Sequence, residues 1–364
     1  MTWNAGASKP TALRNEDQDR NFYRELLPRD DPPDILVFGF QELVDLEDKK
    51  VTAKSFFKKH IKKDTTNHVQ HMSHQYRAWR DHLDRVIQEY MPSERYTLLH
   101  TADMVGLFTC IFVKNAERSR IRDVSAAQVK LGMGGLHGNK GALIVRFFMD
   151  DSSLCFINCH LAAGQTQTVH RNNDIAAIME ADALPRNRSP SDCTALFVGG
   201  GDGSMILDHE ICILNGDLNY RIDSMTRDSV INTVRQGNLP KLLERDQLLL
   251  SKKRNPGFRL RAFVEAPITF APTYKYDVGT DNYDTSEKRR SPAWCDRLLY
   301  RGVGRIKQTE YRRHEGVRVS DHRPVSGRFK IRVKTISSQR QIMAVEKYEA
   351  EFEQVKQRIA RDIK

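Results

Sequence analysis

The chain has 364 residues, of which 39% are hydrophobic and 29% charged, a composition typical of a globular protein with a well-solvated surface. We expect neither a signal peptide nor a membrane span. The six cysteines form no CxxC pair and no zinc spacing, which indicates reduced thiols in an intracellular protein. The net charge of +11 favours a polyanionic partner, and composition leaves open nucleic acid, an anionic membrane or a phosphorylated small molecule.

Short apolar runs in the first half of the chain predict strands separated by polar segments. Helices are predicted over residues 51–92, where large apolar residues recur at helical spacing, and over Val169–Ala183. The predicted strands are 2–5, 35–40, 96–101, 105–113, 124–131, 141–149 and 154–160.

The second half begins with a loop over residues 185–210 whose glycine run lacks the Lys-Ser/Thr ending of a P-loop. It continues with an apolar strand over 211–214, helices to about residue 250, and strands over 294–300 and 324–333. Many short strands with helices between them predict an α/β (α+β) fold in which two mixed sheets pack face to face and helices flank them.

The tail over residues 338–364 predicts a charged amphipathic helix. Its apolar residues alternate three and four positions apart: Val345, Tyr348, Phe352, Val355 and Ile359. Such a helix pairs with another helix or leads to a further domain, or it lies on its own domain, and the spacing favours neither interpretation.

Polar groups follow the strand over 211–214, in the sequence Asn215-Gly-Asp-Leu-Asn-Tyr-Arg221. Asp217 and Asn219 are two residues apart, so in an extended chain their side chains point the same way. A carboxylate and an amide aimed at one point suit the positioning of a water molecule. Asp217 could take its proton, and Asn219 could hold the water or a phosphoryl oxygen.

Polar residues also lie at four other predicted strand ends. These are Asn4, Gln41-Glu42, Asn158-Cys-His160 and Ser320-Asp-His-Arg323. One polar residue at a strand end is usually structural, but functional groups of layered α/β proteins gather at strand ends. We therefore expect the five positions to contribute to one site.

The residue types in this set indicate metal-assisted hydrolysis. Oxygens of Asn4 and Glu42, without a His/Cys cluster, favour a hard ion such as Mg²⁺. His160 and His322 could stabilise a phosphoryl oxygen, and Asp296 could orient one of these imidazoles. Since no Ser or Cys resembles an activated nucleophile, the residues predict hydrolysis of a phosphate ester by direct attack of water.

Seven motifs, in one order along residues 2 to about 330, resemble those of the inositol polyphosphate 5-phosphatases within the endonuclease/exonuclease/phosphatase superfamily. They are Thr2-Trp-Asn4, Phe40-Gln-Glu42, His137-Gly-Asn-Lys-Gly-Ala142, Asn158-Cys-His-Leu-Ala-Ala-Gly164, Gly216-Asp-Leu-Asn-Tyr-Arg-Ile222, Pro292-Ala-Trp-Cys-Asp-Arg297 and Ser320-Asp-His-Arg-Pro-Val325. The resemblance implies a DNase I-like sandwich, with a catalytic domain over 1–334 and a C-terminal helical extension over 335–364.

The resemblance also implies roles for the residues at the strand ends. The implied Mg²⁺ residues are Glu42 as the main ligand, Asn4 beside it and Asp321 nearby. The implied catalytic residues are Asp217 as general base, Asn219 aligning water or phosphate, His322 on the scissile phosphate, Asp296 orienting His322, and His160 on the 5-phosphate. Where many members continue Asn-x-Asn-Gly, this chain has Asn4-Ala-Gly6 and lacks the second Asn.

Basic residues outside this set are implied to determine specificity. The motif positions that match contacts to a 4-phosphate are Tyr274, Lys275, Lys288 and Arg290. Those that match contacts to a 1-phosphate are Asn139 and Lys140. Since the 1-phosphate joins the inositol to its lipid, a membrane would lie near this loop. Met133 and Leu136 could then reach the acyl chains, or they could equally be ordinary anchors of the loop.

The resemblance therefore implies a Mg²⁺-dependent phosphatase that removes the 5-phosphate from phosphoinositides, such as the 4,5-bisphosphate or 3,4,5-trisphosphate, or from soluble inositol polyphosphates. We expect a cytoplasmic protein, peripheral at anionic membranes, that binds no nucleic acid and is fused to further domains. One alternative is a Mg²⁺-dependent nuclease of the same fold, which the positive charge favours and the 4-phosphate motifs oppose. Another is a catalytically inactive phosphoinositide-binding module, which would require the loss of a central group.

Overall fold

The computed structural model of the chain describes residues 1–13, 17–44, 74–132, 134–135, 137–187, 196–302 and 304–362. The first part of the helical stretch predicted over residues 51–92 lies outside these residues, as do Met133 and Leu136. Within the described residues, no helix is both long enough and apolar enough to cross a membrane.

Eleven strands are found in the described part of the chain, and they form two mixed sheets. The strands are β1 (Thr2–Asn4), β2 (Ile35–Gln41), β3 (Tyr96–Met104), β4 (Leu107–Lys114), β5 (Ile121–Gly132), β6 (His137–Met149), β7 (Ser152–His160), β8 (Ile211–Asp217), β9 (Asp296–Arg301), β10 (Ile306–Arg313) and β11 (Val325–Ile331). The six-stranded first sheet has the order β10-β11-β1-β2-β4-β3, and the five-stranded second sheet has the order β5-β6-β7-β8-β9. The sequence did not predict β10.

Seven α-helices are described: α1 (Asp17–Leu26), α2 (His74–Tyr90), α3 (Thr168–Met179), α4 (Arg227–Arg235), α5 (Leu239–Leu243), α6 (Gln247–Arg254) and α7 (Ser338–Asp362). Helix α3 turns Ile175, Ile178 and Met179 into the core beside the second sheet, as the spacing predicted. On the first sheet, Trp79 of α2 packs edge-on against Trp3, with ring centroids 5.6 Å apart. The predicted fold class, two mixed sheets flanked by helices, is confirmed.

Apolar side chains from both sheets fill the space between them. Ile111 of the first sheet lies in one cluster with Phe147, Phe156 and Ile213 of the second sheet, and all four are buried. The Phe147 and Phe156 rings stack with centroids 5.4 Å apart. This packing is the alternating, inward-facing core expected of a sandwich.

One buried amide in this interior connects the two sheets. The Asn158 side chain on β7 donates to the carbonyl oxygens of Phe40, at 3.2 Å, and Phe108, at 3.1 Å, and it accepts from Gln41 Nε2 at 2.6 Å. The facing strand comes so close at Gly39 that an added Cβ would lie 2.1 Å from Asn215 Nδ2. Asn158 and Gln41 are therefore structural, and it is their neighbours along the chain, His160 and Glu42, that lie together at the site.

Strand register brings the other polar strand ends to one edge of the sandwich. In the second sheet His160 pairs with Asp217, and Asp217 in turn pairs with Asp296 on β9. In the first sheet the parallel pair β1 and β2 ends at Asn4 opposite Gln41. Because these ends face each other across the interior, side chains from both sheets meet there.

A buried ion group lies behind this edge. Arg297 follows Asp296 on β9, so its side chain points the opposite way, to Asp246 at 2.9 Å and Glu265 at 2.7 Å. The Arg297 and Asp246 side chains are fully buried. Two carboxylates compensate this guanidinium, so its removal would leave buried negative charge.

We predict that Arg297→Met lowers the free energy of unfolding by about 3–5 kcal/mol, because Asp246 and Glu265 lose their counter-charge. Urea denaturation at pH 7 measures the change. The control is Arg259→Met, whose pair with Glu180 is about half exposed on both sides and is worth at most ~1 kcal/mol. Equal effects of the two variants would contradict the prediction.

Candidate active site

The carboxylate of Asp217 is the centre of the edge where the strand ends meet. Asn4 Nδ2 donates to Asp217 Oδ2 at 2.9 Å. The same oxygen lies 3.4 Å from His160 Nε2 and 3.9 Å from His322 Nε2. All four residues are buried. The structure therefore brings together four residues that the sequence predicted separately.

His322 is held by a chain of hydrogen bonds on its other side. Its Nδ1 lies 2.8 Å from Asp296 Oδ2, and the Thr273 hydroxyl donates to the same oxygen at 2.6 Å. The His322 backbone carbonyl accepts from Trp3 Nε1 at 3.2 Å. Sequence reasoning predicted the Asp296–His322 pair but missed Thr273, which no motif distinguished from an ordinary core threonine.

Neighbouring charges shift the pKa values of Asp217 and His322 in opposite directions. Burial alone would raise the pKa of Asp217, but the positive charge of His322 and the nearby His160 and Lys140 hold it well below its usual range. Burial alone would lower the pKa of His322, but Asp296 and Asp217 raise it to about 10. At neutral pH the site therefore holds an ionised Asp217 facing a protonated His322.

Glu42 and His160 complete a group of possible metal ligands with Asp217. One ligand atom from each of the three lies within 4.8 Å of the others. Glu42 Oε1 is 3.4 Å from His160 Nε2, and the Glu42 side chain is 37% exposed, so it lies at the mouth of the site. The carboxylate oxygens, with the nearby Asn4 carboxamide, are hard donors suited to Mg²⁺ or Ca²⁺.

Asn219 serves mainly to position its neighbours. Its backbone N–H donates to Asp217 Oδ1 at 3.1 Å, and its Nδ2 donates to the Leu161 carbonyl at 3.1 Å. Its Oδ1 accepts from the Arg221 guanidinium. In this arrangement Asn219 fixes the carboxylate of Asp217, while its amide group is held by the protein.

Arg221 is a site residue to which sequence reasoning gave no role, although it lies within a quoted motif. Its guanidinium lies over the Tyr274 ring, 4.3 Å from the centroid. The Tyr274 ring in turn packs on His322 with centroids 4.6 Å apart. Arg221 thus supports Asn219 directly and His322 through Tyr274.

The backbone takes a left-handed conformation at two site residues, Glu42 with φ 49° and Asn219 with φ 57°. Such conformations cost of order 1 kcal/mol or more in non-glycine residues and cluster at functional sites. Both residues follow the end of a strand.

Lys140 lies at the centre of the site, close to His160. Its Nζ contacts His160 Nε2, because its neighbour Gly141 pairs with His160 across β6 and β7. Burial lowers the pKa of Lys140, against the opposing charges of Asp217 and Glu42. The adjacent Asn139 has a buried Oδ1 without a hydrogen-bond partner in the described structure.

The other predicted substrate residues lie further out. Lys275 Nζ is 3.1 Å from the carboxylate of Asp321, and both side chains are partly exposed. Lys288 and Arg290 are exposed. Their loop is held by Asp284, which accepts from the Arg290 backbone N–H at 2.7 Å.

Cys159, next to His160 in the chain, is excluded as a nucleophile. Its side chain is fully buried, and burial raises the pKa of its thiol. All five described cysteines are free and buried. This agrees with the predicted reduced thiols.

Comparison with known protein families identifies the family of this chain. The model of the endonuclease/exonuclease/phosphatase family 2 matches residues 1–328. The chain belongs to this family. The resemblance to the inositol polyphosphate 5-phosphatases is also confirmed, by a relative of that name and by the inositol polyphosphate 5-phosphatase domain of a synaptojanin.

A probable inositol polyphosphate 5-phosphatase of Schizosaccharomyces pombe is 48% identical over 341 residues, covering 93% of this chain and 28% of the relative. Human synaptojanin-1 is 37% identical over 273 residues, covering 75% of this chain and 15% of the relative. The chain therefore spans less than a third of the length of these members of the endonuclease/exonuclease/phosphatase family 2.

A solved structure extends the similarity to the fold. The inositol polyphosphate 5-phosphatase domain of SPsynaptojanin, in complex with inositol (1,4)-bisphosphate and a calcium ion, superposes with a TM-score of 0.70 at 32% identity, covering 98% of this chain and 90% of that one. A Cimex nitrophorin shares the family 2 fold at 18% identity, with a TM-score of 0.62 and coverage of 91% and 96%. The fold alone therefore does not determine the chemistry of the site.

Proposed function

We propose that this chain hydrolyses the 5-phosphate of phosphoinositides or soluble inositol polyphosphates, in a Mg²⁺-dependent reaction with direct attack of water. The observation that carries the proposal is the buried, ionised Asp217 between Asn4, His160 and His322. The relatives named as 5-phosphatases support the reaction class.

The donor set around Asp217 fits a hard divalent ion. Glu42 and Asn4 would hold Mg²⁺ beside Asp217, and Asp321 would lie at the rim, where Lys275 now pairs with it. The related synaptojanin domain contains a calcium ion, which has the same preference for oxygen donors. When bound, the ion would polarise a phosphoryl oxygen as a Lewis acid.

Asp217 is suited to orienting the attacking water. Hydrogen bonds from Asn4 and from the Asn219 backbone fix its carboxylate. In the free protein the neighbouring positive charges make it a weak base. A substrate phosphate would neutralise part of that charge, and the basicity of Asp217 would rise as the substrate binds.

Positive groups face the position where phosphoryl charge would develop. His322, protonated and oriented by Asp296, is suited to donate a hydrogen bond to a phosphoryl oxygen. His160 and Lys140 offer further donors nearby. Such preorganised donors stabilise the transition state in a site that excludes water.

The inositol would extend from this centre towards the outer basic residues. Tyr274, Lys275, Lys288 and Arg290 are assigned to a 4-phosphate, and Asn139 with Lys140 to a 1-phosphate. An Arg fork and Lys point charges suit neighbouring phosphates. The net charge of +11 would favour approach to an anionic membrane, which is the setting of a lipid substrate.

We predict that Asp217→Asn and His322→Ala each lower kcat by about 10²–10⁴, because one loses the water-orienting charge and the other the phosphoryl donor. The assay is phosphate release from phosphatidylinositol 4,5-bisphosphate with and without Mg²⁺. The matched control is Asp228→Asn, since the Asp228 side chain is 72% exposed. Release that needs no Mg²⁺, or that survives both substitutions, would contradict the proposal, as would faster cleavage of an abasic DNA duplex.

We predict that Asp296→Asn lowers kcat by about 10²–10⁴ with little change in KM, because the amide stabilises the imidazolium of His322 less well. Thr273→Val should cause a smaller loss of about tenfold, because it removes only the hydrogen bonds between the Thr273 hydroxyl and Asp296. Steady-state kinetics of both variants, with thermal melting to verify folding, measure the effects. Thr273→Ser should restore activity, and a failure to do so would contradict the hydrogen-bond explanation.

We predict that Lys288→Ala and Arg290→Ala each lower kcat/KM about 10–100-fold for substrates with a 4-phosphate, because each removes a charge-assisted hydrogen bond. An inositol lipid with only a 5-phosphate on its ring should be affected less than about threefold. Arg289→Ala, between the two positions and 63% exposed, is the control. Equal losses on both substrates would show that these residues do not recognise the 4-phosphate.

A further inference from the structure

The C-terminal helix α7 exposes an apolar stripe to solvent. Its members are between 42% and 68% exposed: Val345, Tyr348, Phe352, Val355 and Ile359. All side chains that the structure describes in α7 are exposed, so the interpretation that this helix lies on its own domain is wrong. Helices in water gain most of their stability from packing an apolar face. We therefore expect this stripe to pack against a partner.

The helix starts at a fixed point far from the candidate active site. Just before it, the backbone N–H groups of Lys334 and Ile336 donate to Ser152 Oγ, at 2.8 Å, and to Asp151, at 2.6 Å. These partners lie at the start of β7, whereas His160 lies at its end, about 26 Å away along an extended strand.

The stripe has the period of a coiled coil. Steps of three and four residues place Val345, Phe352 and Ile359 at the first apolar position of successive heptads, and Tyr348 and Val355 at the second. Charged residues lie on both sides of this apolar stripe, which forms the seam of the coiled coil, and the acidic and basic ones occupy different halves of the helix. The flanking positions are Glu349 and Glu351 in the first half, and Lys356 and Arg358 in the second half.

We propose that α7 is an antiparallel coiled-coil interface between two copies of this chain. In the matching register, Tyr348 faces Ile359 of the second copy and Phe352 faces Val355, so each large ring meets a smaller aliphatic side chain, while Val345 lies opposite Asp362 at the end of the pairing. Glu349 then lies beside Lys356 of the second copy, and Glu351 beside Arg358. Twofold symmetry repeats both contacts, and four opposite-charge pairs flank the seam.

A parallel pairing matches this sequence less well. In register it would place Phe352 against Phe352 and Tyr348 against Tyr348, and it would pair Glu351 with Lys356 but leave Glu349 beside Ala344. The ion pairs within the helix would compete only weakly with ion pairs between the two copies. Lys356–Glu353, at 2.9 Å, and Lys347–Glu351, at 3.8 Å, are exposed, and such pairs contribute little.

The first test is the association state of the 364-residue chain by sedimentation equilibrium over a hundredfold range of concentration. Because the seam is short, we expect a weak monomer–dimer equilibrium. Phe352→Glu/Val355→Glu should reduce the association constant more than about tenfold. The control is Ala350→Glu/Gln357→Glu, which adds the same charges to the outer face of the helix and should keep the dimer.

The second test is the orientation of the helices. A spin label at Arg340→Cys, in a Cys193→Ser background, should give a distance between copies of about 40 Å, because antiparallel pairing places the two labels ~27 residues apart along the helix axis. A distance below about 20 Å would indicate parallel helices and overturn the antiparallel register. A chain that stays monomeric at every concentration, or a dimer that survives Phe352→Glu/Val355→Glu, would overturn the interface itself.

Discussion

The structure depends on keeping the carboxylate of Asp217 charged in a buried position. An unpaired carboxylate there would cost several kcal/mol and would become protonated instead. Three neighbours prevent this, and they come from different parts of the fold: Asn4 from the first sheet, His160 from the second, and His322 from the segment before β11. Both sheets therefore contribute to stabilising the buried charge at the centre of the site.

Two further polar groups hold that register from within. Asn158 connects strands of both sheets by side-chain hydrogen bonds in the middle of the apolar interior. Arg297 anchors β9 from the side opposite to the site, so that Asp296, one residue earlier, is held against His322. Polar groups of this kind are costly when unsatisfied, and when satisfied they specify one arrangement of the core. Here that arrangement is the one that assembles the site.

Much of the site could be predicted because its residues end or precede apolar strands, and this pattern is visible along the chain. The sequence does not show which of these strands pair with each other. The sequence shows that His160 and Asp217 each end a strand, but only the structure shows that these two strands are parallel neighbours in register. For the same reason Asn158, two residues before His160, looked like a site residue although it faces the other sheet.

Other features were missed because their sequence signal is weak or ambiguous. Strand β10 contains mostly polar and charged residues and buries only part of Ile306 and Tyr311, so no apolar run marks it. Arg221 and Thr273 act through a neighbour, and a positioning residue of this kind has no signature of its own. Lys140 was predicted only as a contact to the 1-phosphate, and no motif indicated that it lies beside His160. The pairing of Gly141 with His160 brings the Lys140 Nζ to that position.

The similarity of the fold to that of a nitrophorin indicates which part of the structure determines the reaction. A sandwich of this shape can carry an unrelated activity, so the strands and the apolar core do not by themselves determine the reaction. Most groups that suit phosphate chemistry are the terminal residues of strands or lie just past them, and at two positions past a strand end, Glu42 and Asn219, the backbone is left-handed. In a regular strand, side chains at these positions would point to one face of the sheet or the other. Local strain at these turns, held by the rigid sandwich behind them, places Glu42 at the mouth of the site and the Asn219 backbone N–H against the carboxylate of Asp217.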